Sequence, residues 1–585
     1  MNISKGILTA WVAVMAATPA FATDITVKPG PYAIEKALQQ AREDRRLNGA
    51  EDVCIRLQAG TYRLNQTITV RPEDSGIRIV ADGNAVVSGG VKITGWKKQG
   101  GMYVADVPEF NGRPLEFRQL WVNGRKADRA RDVADFEKMY RIRNIDKKNE
   151  ILYVPAAAVK KILGERHAEM VIHEMWCVAN LRIKGIKVQG DSAAVTFHQP
   201  ESHIHFMHPW PSPMVTKDGH NSAFYLTNAK SLLDTPGEWY LDAKEQKVYY
   251  IPRKGEDMAK ADVEAPAVET LMKIEGTPDA PVKGITIEGV TFSYATWMRP
   301  SISGHAPLQA GMFMTEAYKV RPKIIRPNGD HKLDNQGWVG RPAAAVSVRC
   351  AEDINFKGCT IEHCASTGID FFEYTKGGSI SRSTIRDVGG NGILAGSFGP
   401  EAHEAHLPYN PTDSRIICTG LTIENNLITD VTNEDWGCVG IGAGYVRGIR
   451  ILHNEISEVS YSGISMGWGW NQQPCAMADN RVKGNLIRHY AKHMYDTAGI
   501  YTLGAQPHSF VEENVVRDIY SPGYAHDPNH WFYLYTDEGS SCIMVRNNWT
   551  PTEKYLKNAN GPCNIWENNG PAVNDSIKAN AGIMK

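Results

Sequence analysis

Asn426-Leu427-Ile428 leads to Gly440-Ile441, Asn454-Glu455-Ile456 to Gly463-Ile464, and Asn485-Leu486-Ile487 to Gly499-Ile500. The frame is an Asn, an apolar-rich pair, polar residues, and then a Gly followed by Ile. Asn514-Val515-Val516 and Asn547-Asn548-Trp549 continue it, and two earlier versions lack the Asn: Cys359-Thr360-Ile361 to Gly368-Ile369, and Ser383-Thr384-Ile385 to Gly392-Ile393. Equivalent Ile or Val residues are 24 apart (361 to 385), 28 (428 to 456), 31 (456 to 487) and 29 (487 to 516). Short Val/Ile runs bounded by Gly, Asn and Asp read as strands. A unit of this length cannot bury its own apolar face and must stack on its neighbours. An Asn at a coil corner can bond to the Asn above and below. A leucine-rich repeat would need leucines at tight fixed positions and a regular length, and neither is present. The fold class predicted is all-β, a right-handed parallel β-helix.

Working outward, Ala33 to Arg46 places Ile34, Leu38 and Ala41 at helical spacing, an amphipathic helix suited to covering the open end of the stack. Cys54-Ile55-Arg56-Leu57, Ile68-Thr69-Val70 and Ile77-Arg78-Ile79-Val80 read as the first coils, so residues 23–119 are assigned to the cap helix and these coils. From 120 to 265 the repeat disappears. Leu120-Trp121-Val122, Ala193 to Phe197, Trp239-Tyr240-Leu241 and Val248-Tyr249-Tyr250 there suggest an inserted, β-sandwich-like domain. Residues 266–585 form the main stack, interrupted by a loop-rich insert from Ser301 to Gly340.

The first 22 residues have the pattern of an export signal: Lys5, an apolar run from Ile7 to Ala17, and Ala20-Phe21-Ala22 as the cleavage pattern. Export to the periplasm or beyond the cell is expected, with cleavage after Ala22. No later stretch is long and apolar enough to span a bilayer. Lys+Arg 64 against Asp+Glu 65 leaves no bulk charge for a nucleic acid. Most of the ten cysteines lie in strand-like apolar runs and read as small buried hydrophobes. No CxxC pair and no calcium-loop run of acids appears, so neither a cofactor nor a metal is expected.

The side of a β-helix offers a groove for a polymer, and a polysaccharide or oligosaccharide is the partner such a groove suits. Tyr501, Tyr535, Trp468 and Trp470 are candidate sugar platforms, and Gly467 and Gly469 would leave the two indoles accessible. Glu373 lies after one Gly-Ile strand. The densest polar stretch, 489 to 540, holds His493, Gln506, His530 and Glu538 as candidate substrate-binding groups. In it Asp496 precedes a repeat strand and Asp537 ends the strand of the next coil. Strands in neighbouring coils stack about 4.8 Å apart, so these two carboxylates can serve as the pair that hydrolysis of a glycoside requires.

Asp496-Thr-Ala-Gly-Ile-Tyr-Thr-Leu-Gly-Ala-Gln506 and Tyr535-Thr-Asp-Glu-Gly-Ser-Ser541 resemble glycoside hydrolase family 141. So do Val87-Ser-Gly-Gly90, Gln119-Leu-Trp-Val-Asn-Gly-Arg125 with Arg129 and Arg131, and Pro236-Gly-Glu-Trp-Tyr-Leu-Asp242. The resemblance spans nearly the whole mature chain. It implies a right-handed β-helix enzyme acting on plant cell-wall glycans, with Asp496 and Asp537 as catalytic pair. The activities it implies are α-L-fucosidase on the pectin rhamnogalacturonan II and, as an alternative, xylanase; a β-xylosidase family of the same architecture shares some features. A calcium-dependent polysaccharide lyase using Arg447, Arg450 or Arg481, and a non-catalytic glycan-binding β-helix, are the competing readings.

Overall fold

The structure is a computed structural model that describes residues 23–48, 52–318 and 337–584. The expected export signal, and the middle of the loop-rich insert, lie outside the described residues. Among those residues no helix is long and apolar enough to cross a membrane.

Each coil repeats one circuit. Ile441–Ala443 belongs to a ten-stranded sheet and Val446–Arg447 to a five-stranded one. Arg450–Leu452 and Glu455–Val459 both join a nineteen-stranded sheet that is bent between them. Ile464–Met466 then starts the next circuit beside Ile441–Ala443, in parallel. The register follows the repeat. Ile361, Ile385, Ile428, Ile456, Ile487 and Val516 are successive partners in one sheet, and Ile369, Ile393, Ile441, Ile464 and Ile500 in another. All of these Ile and Val side chains are buried in one continuous core. Burying each contributes about 1.5–3 kcal/mol. The fold is the expected parallel β-helix, whose crossover connections favour the right-handed sense.

The motif residues have separate causes. Asn426, Asn454, Asn485, Asn514 and Asn548 form a buried ladder that ends on the half-buried Asn569. In each step the side-chain Nδ2 donates to the next Oδ1 at 2.8–2.9 Å, and the same Oδ1 accepts the backbone N–H. Every corner N–H is thereby paired without water. Asn548 occupies the rung that the reading of 547–549 gave to Asn547. Val515 lies opposite Trp549, one residue later than the frame requires. The Gly of Gly-Ile answers to crowding. A Cβ on Gly440 would meet the carbonyl O of Gly463 at 2.5 Å, and one on Gly392 the O of Gly440 at 2.6 Å.

The helix Ala33–Asn48 lays Ile34, Ala37, Leu38 and Ala41 on the first coils, which are extended at that end by Thr23–Val27. The chain leaves the stack after Arg78–Ser88 and re-enters it at Met272–Glu275. The excursion begins earlier than the expected boundary at 120. Gly90–Lys92 already pairs with Val263–Pro266, and Met102–Asp106 with Lys247–Tyr250, so these strands belong to the insert's sheets. The insert has an eight-stranded and a seven-stranded sheet, with its own apolar cores.

At the far end the helix Asp575–Asn580 is followed by a tail that runs back along the coils. There the N–H of Gly582 donates to the carbonyl O of Gly484 (2.8 Å), and that of Met584 to Oδ1 of Asn425 (2.9 Å). Cys542 and Cys563 form a disulfide between the last coils; of the eight other cysteines seven are buried, in keeping with small apolar residues.

Candidate active site

Asp496 and Asp537 lie in adjacent coils at opposite ends of two paired strands, Thr497–Thr502 and Trp531–Thr536. Their link is made by the residues between. On these strands Ile500 and Leu534 point into the core, and the alternate residues Tyr501 and Tyr535 point outward, as the pleat requires. The Tyr501 hydroxyl donates to Asp537 Oδ2 at 2.5 Å, and the Tyr535 hydroxyl to Asp496 Oδ1 at 3.3 Å. The two rings stand edge to face, 5.0 Å apart. One phenol thus reaches toward each carboxylate.

The two acids have different surroundings. Asp496 keeps some contact with solvent, and His530 Nε2 lies 3.1 Å from its Oδ1. That contact raises the pKa of the half-exposed His530. The backbone of Asp496 is fixed as well: its N–H donates to the His530 carbonyl (2.7 Å), and its own carbonyl accepts the Tyr461 hydroxyl (3.0 Å). Asp537 is buried, with Asn558 Nδ2 donating to Oδ1 at 2.7 Å. Burial pushes the Asp537 carboxyl up to about 6, against the pull of the Tyr501 and Asn558 hydrogen bonds, and the charge of Asp496 adds to the rise. The result is one carboxyl that holds its proton up to about pH 6 and a second held between an imidazole and a phenol. Environments that differ in this way suit a pair of carboxyls to separate acid and base work.

Of the other expected site residues, Glu538 follows Asp537 at the half-buried rim and Trp470 is partly exposed. Tyr501 and Tyr535 are 2% and 3% exposed, too covered to be sugar platforms; their hydroxyls matter instead. Trp468 is also no platform. It is 1% exposed, with the Phe398 ring centroid 4.8 Å away. Its neighbouring glycines serve packing rather than access, since a Cβ on Gly467 would meet the Leu503 carbonyl O at 2.1 Å. The amide of Gln506 is used internally. Its Nε2 donates to the carbonyls of Met466 and Leu503, and its Oε1 accepts from Asn480. Glu373 lies four coils away, about 19 Å by strand spacing, and accepts from Ser397 and Arg349.

His493 stacks on Trp436 at 4.2 Å and bonds the Tyr524 hydroxyl at 2.6 Å, and burial lowers its pKa to about 3. It faces a different cavity, between the insert and the coils, which neither Asp lines. The arginines considered as lyase bases are engaged elsewhere: Arg447 with the Ala476 carbonyl, Arg450 with those of Ile449 and Asp479, and Arg481 with Glu512.

Tyr461 and Asn558 were not anticipated. Asn558 aligns one coil beyond Asp537, as the neighbouring pair Thr536 and Lys557 shows, but the repeat is no longer recognisable there in sequence. Tyr461 directly precedes Ser462-Gly463-Ile464, a position that is Cys438 one coil earlier and Gly390 two coils earlier, so it carried no repeating signal.

Residues 100–253 match the model of the GH141 insertion domain. A solved structure named "Glycoside hydrolase" is 56% identical, with 96% of this chain and 99% of that chain covered and a TM-score of 0.94. XylC in complex with xylose is 13% identical over 86% of this chain and 64% of its own, with a TM-score of 0.41. PfbA, a surface adhesin of Streptococcus pneumoniae, is 12% identical over 50% and 62%, with a TM-score of 0.29. No curated protein sequence matches the chain.

Proposed function

The chain belongs to glycoside hydrolase family 141 and is a glycoside hydrolase; from that premise we propose that Asp537 and Asp496 are its acid and its second carboxylate. The observation that carries this is the contrast between the two. Asp537, buried and protonated up to about pH 6, gives its proton to the leaving glycosidic oxygen. Asp496, fixed by His530 and Tyr535, acts at the anomeric carbon, directly or through water. Tyr501 and Asn558 hold the acid in place. His530, which contacts Asp496, and Glu538, which adjoins Asp537, are both partly exposed, so a sugar at the pair can reach them; Trp470 is partly exposed as well.

The substrate we propose is an α-L-fucoside on a pectin side chain, and the enzyme acts after export. This rests on the family resemblance of the motifs around Asp496 and Asp537. The test is product analysis on pectin oligosaccharides and on xylan, with Asp496→Asn and Asp537→Asn as controls. Free fucose from the wild type, and a loss of turnover of at least about a thousandfold in each folded variant, are expected. Xylose or xylo-oligosaccharides would replace the substrate assignment. Near-normal turnover in either variant would remove that Asp from the mechanism.

A further inference from the structure

The stretch Gln119 to Arg125, with Arg129 and Arg131, is distinctive in sequence but takes no part in the site above. It builds a hairpin. Leu120–Val122 pairs with Arg125–Arg129 across Asn123-Gly124, whose φ values of 53° and 70° form the tight turn that Asn-Gly favours. The hairpin is pressed onto the coils. Trp121 Nε1 donates to Asp387 Oδ2 at 2.6 Å, and Lys126 Nζ reaches Glu434 (2.7 Å) and Asn433 (2.9 Å). Beside it, between insert and stack, is a cavity of about 850 Å³, within the range of small-ligand sites.

The two walls differ in charge. On the coil side, His363, Asp387 and Asp430 occupy equivalent positions on three successive coils, between registered neighbours and all at positive φ. Glu434 and Asp435 extend the acidic side. On the insert side, Arg118 and Arg129 share a single carboxylate, Glu169, at 2.8 and 3.0 Å. One guanidinium charge there has no counter-charge of its own. The side chain of Arg118 is 4% exposed, and its Nε has no hydrogen-bond partner. Arg125 is exposed where the hairpin turns. Trp436, stacked on His493, and Phe136, under the Arg131 guanidinium at 4.8 Å, add apolar surface.

A ligand suited to both walls carries an anion at one end and hydrogen-bond donors at the other. A neutral sugar leaves the guanidiniums unmatched, and an anion without hydroxyls meets the carboxylate of Asp430 with nothing to donate. We propose that this cavity is a second saccharide site that binds a uronate-containing oligosaccharide. The sugar carboxylate lies toward Arg125 and Arg129 and its hydroxyls toward Asp430 and Glu434. The assignment does not depend on which groups cleave the substrate.

The test is calorimetric titration of the full chain with a galacturonate trimer and, separately, with xylotriose. Expected are saturable one-to-one binding of the acidic trimer that weakens with salt, and no binding of xylotriose at the same concentrations. Arg125→Glu, a substitution at an exposed side chain, should weaken the acidic trimer by roughly tenfold or more, the scale of a lost charge-assisted contact. Asp496→Asn should bind it as the wild type does. Equal binding of both trimers, no binding of either, or an unchanged affinity in Arg125→Glu would overturn the proposal. Loss in Asp496→Asn with retention in Arg125→Glu would instead place the uronate at the catalytic cleft. Hydrolytic activity is read separately, so failure of the catalytic assignment would be distinguishable from failure of this one.

Discussion

As the proposed acid, Asp537 should set a pH limit on catalysis. Its carboxyl, raised to about 6 chiefly by burial, donates a proton only while it holds one, so turnover should fall as pH rises through about 6. The sign for stability is the same. Between the unfolded value near 4 and the folded value the native state binds the extra proton, so this contribution is complete below about 4 and is lost as pH rises through about 6. Tyr501→Phe removes a hydrogen bond that favours the ionised form. The alkaline limb of kcat should therefore move up by roughly 0.5–1 pH unit while kcat itself drops. A pH–rate profile of the two proteins reads this directly, and an unmoved limb would detach Tyr501 from the acid. The placement of both aspartates in neighbouring coils was legible in the sequence because each borders a strand of the repeat. Trp468 and Gln506 were misread because their burial depends on Phe398, Leu503 and Asn480, which come from other coils and loops and leave no mark beside the residues they cover.

At the scale of the element, the Asn ladder is where sequence and physics correspond most directly. A corner that recurs every 28 to 34 residues needs an acceptor for the backbone N–H before it and a donor for the rung after it, and Asn supplies both. Asn485→Ala would orphan the backbone N–H of Asn454, leave its Nδ2 with the Ile423 carbonyl alone, and leave Asn514 Oδ1 without its side-chain donor, all in a dry interior. The expected destabilisation is about 2–4 kcal/mol, seen as a lower denaturation midpoint with secondary structure intact under native conditions. A midpoint within error of the wild type would mean that water or backbone shifts satisfy the corner. The frame was readable from 361 to 516 although the coil from Ile385 to Ile428 spans 43 residues against 24 to 31 for the others, because the extra residues fall outside the frame. It slipped by one at Asn547 because Asn547 and Asn548 are adjacent, and it did not reveal Asn569 because the last coil, with 21 residues between rungs, puts Gly570 and Pro571 where the other coils have their apolar-rich pair.

For the whole molecule, the existence of an insert was legible and its start was not. The strands between Gly90 and Pro114 are short and partly exposed, and nothing in their pattern distinguishes a coil from a sheet pairing with residues more than 140 positions later. A stack of this kind has nearest-neighbour cohesion, so its thermal weak point is a terminus, where a layer has one neighbour instead of two. The helix Ala33–Asn48 protects one terminus. At the other, Asp537 and Asn558 lie in the last layers, so unravelling there would destroy the proposed acid site long before the rest melted. The returning tail counters this by lashing the final layers to Gly484 and Asn425, far inside the stack. Deleting residues 571–585 should therefore lower the temperature of inactivation by several degrees while the main melting transition, followed by circular dichroism, hardly moves. Coincident shifts would show that the tail supports the stack evenly. On this view the last residues of the chain act as a whipping on a rope's end: they add little strength to the strand, and they determine whether the end in use stays wound.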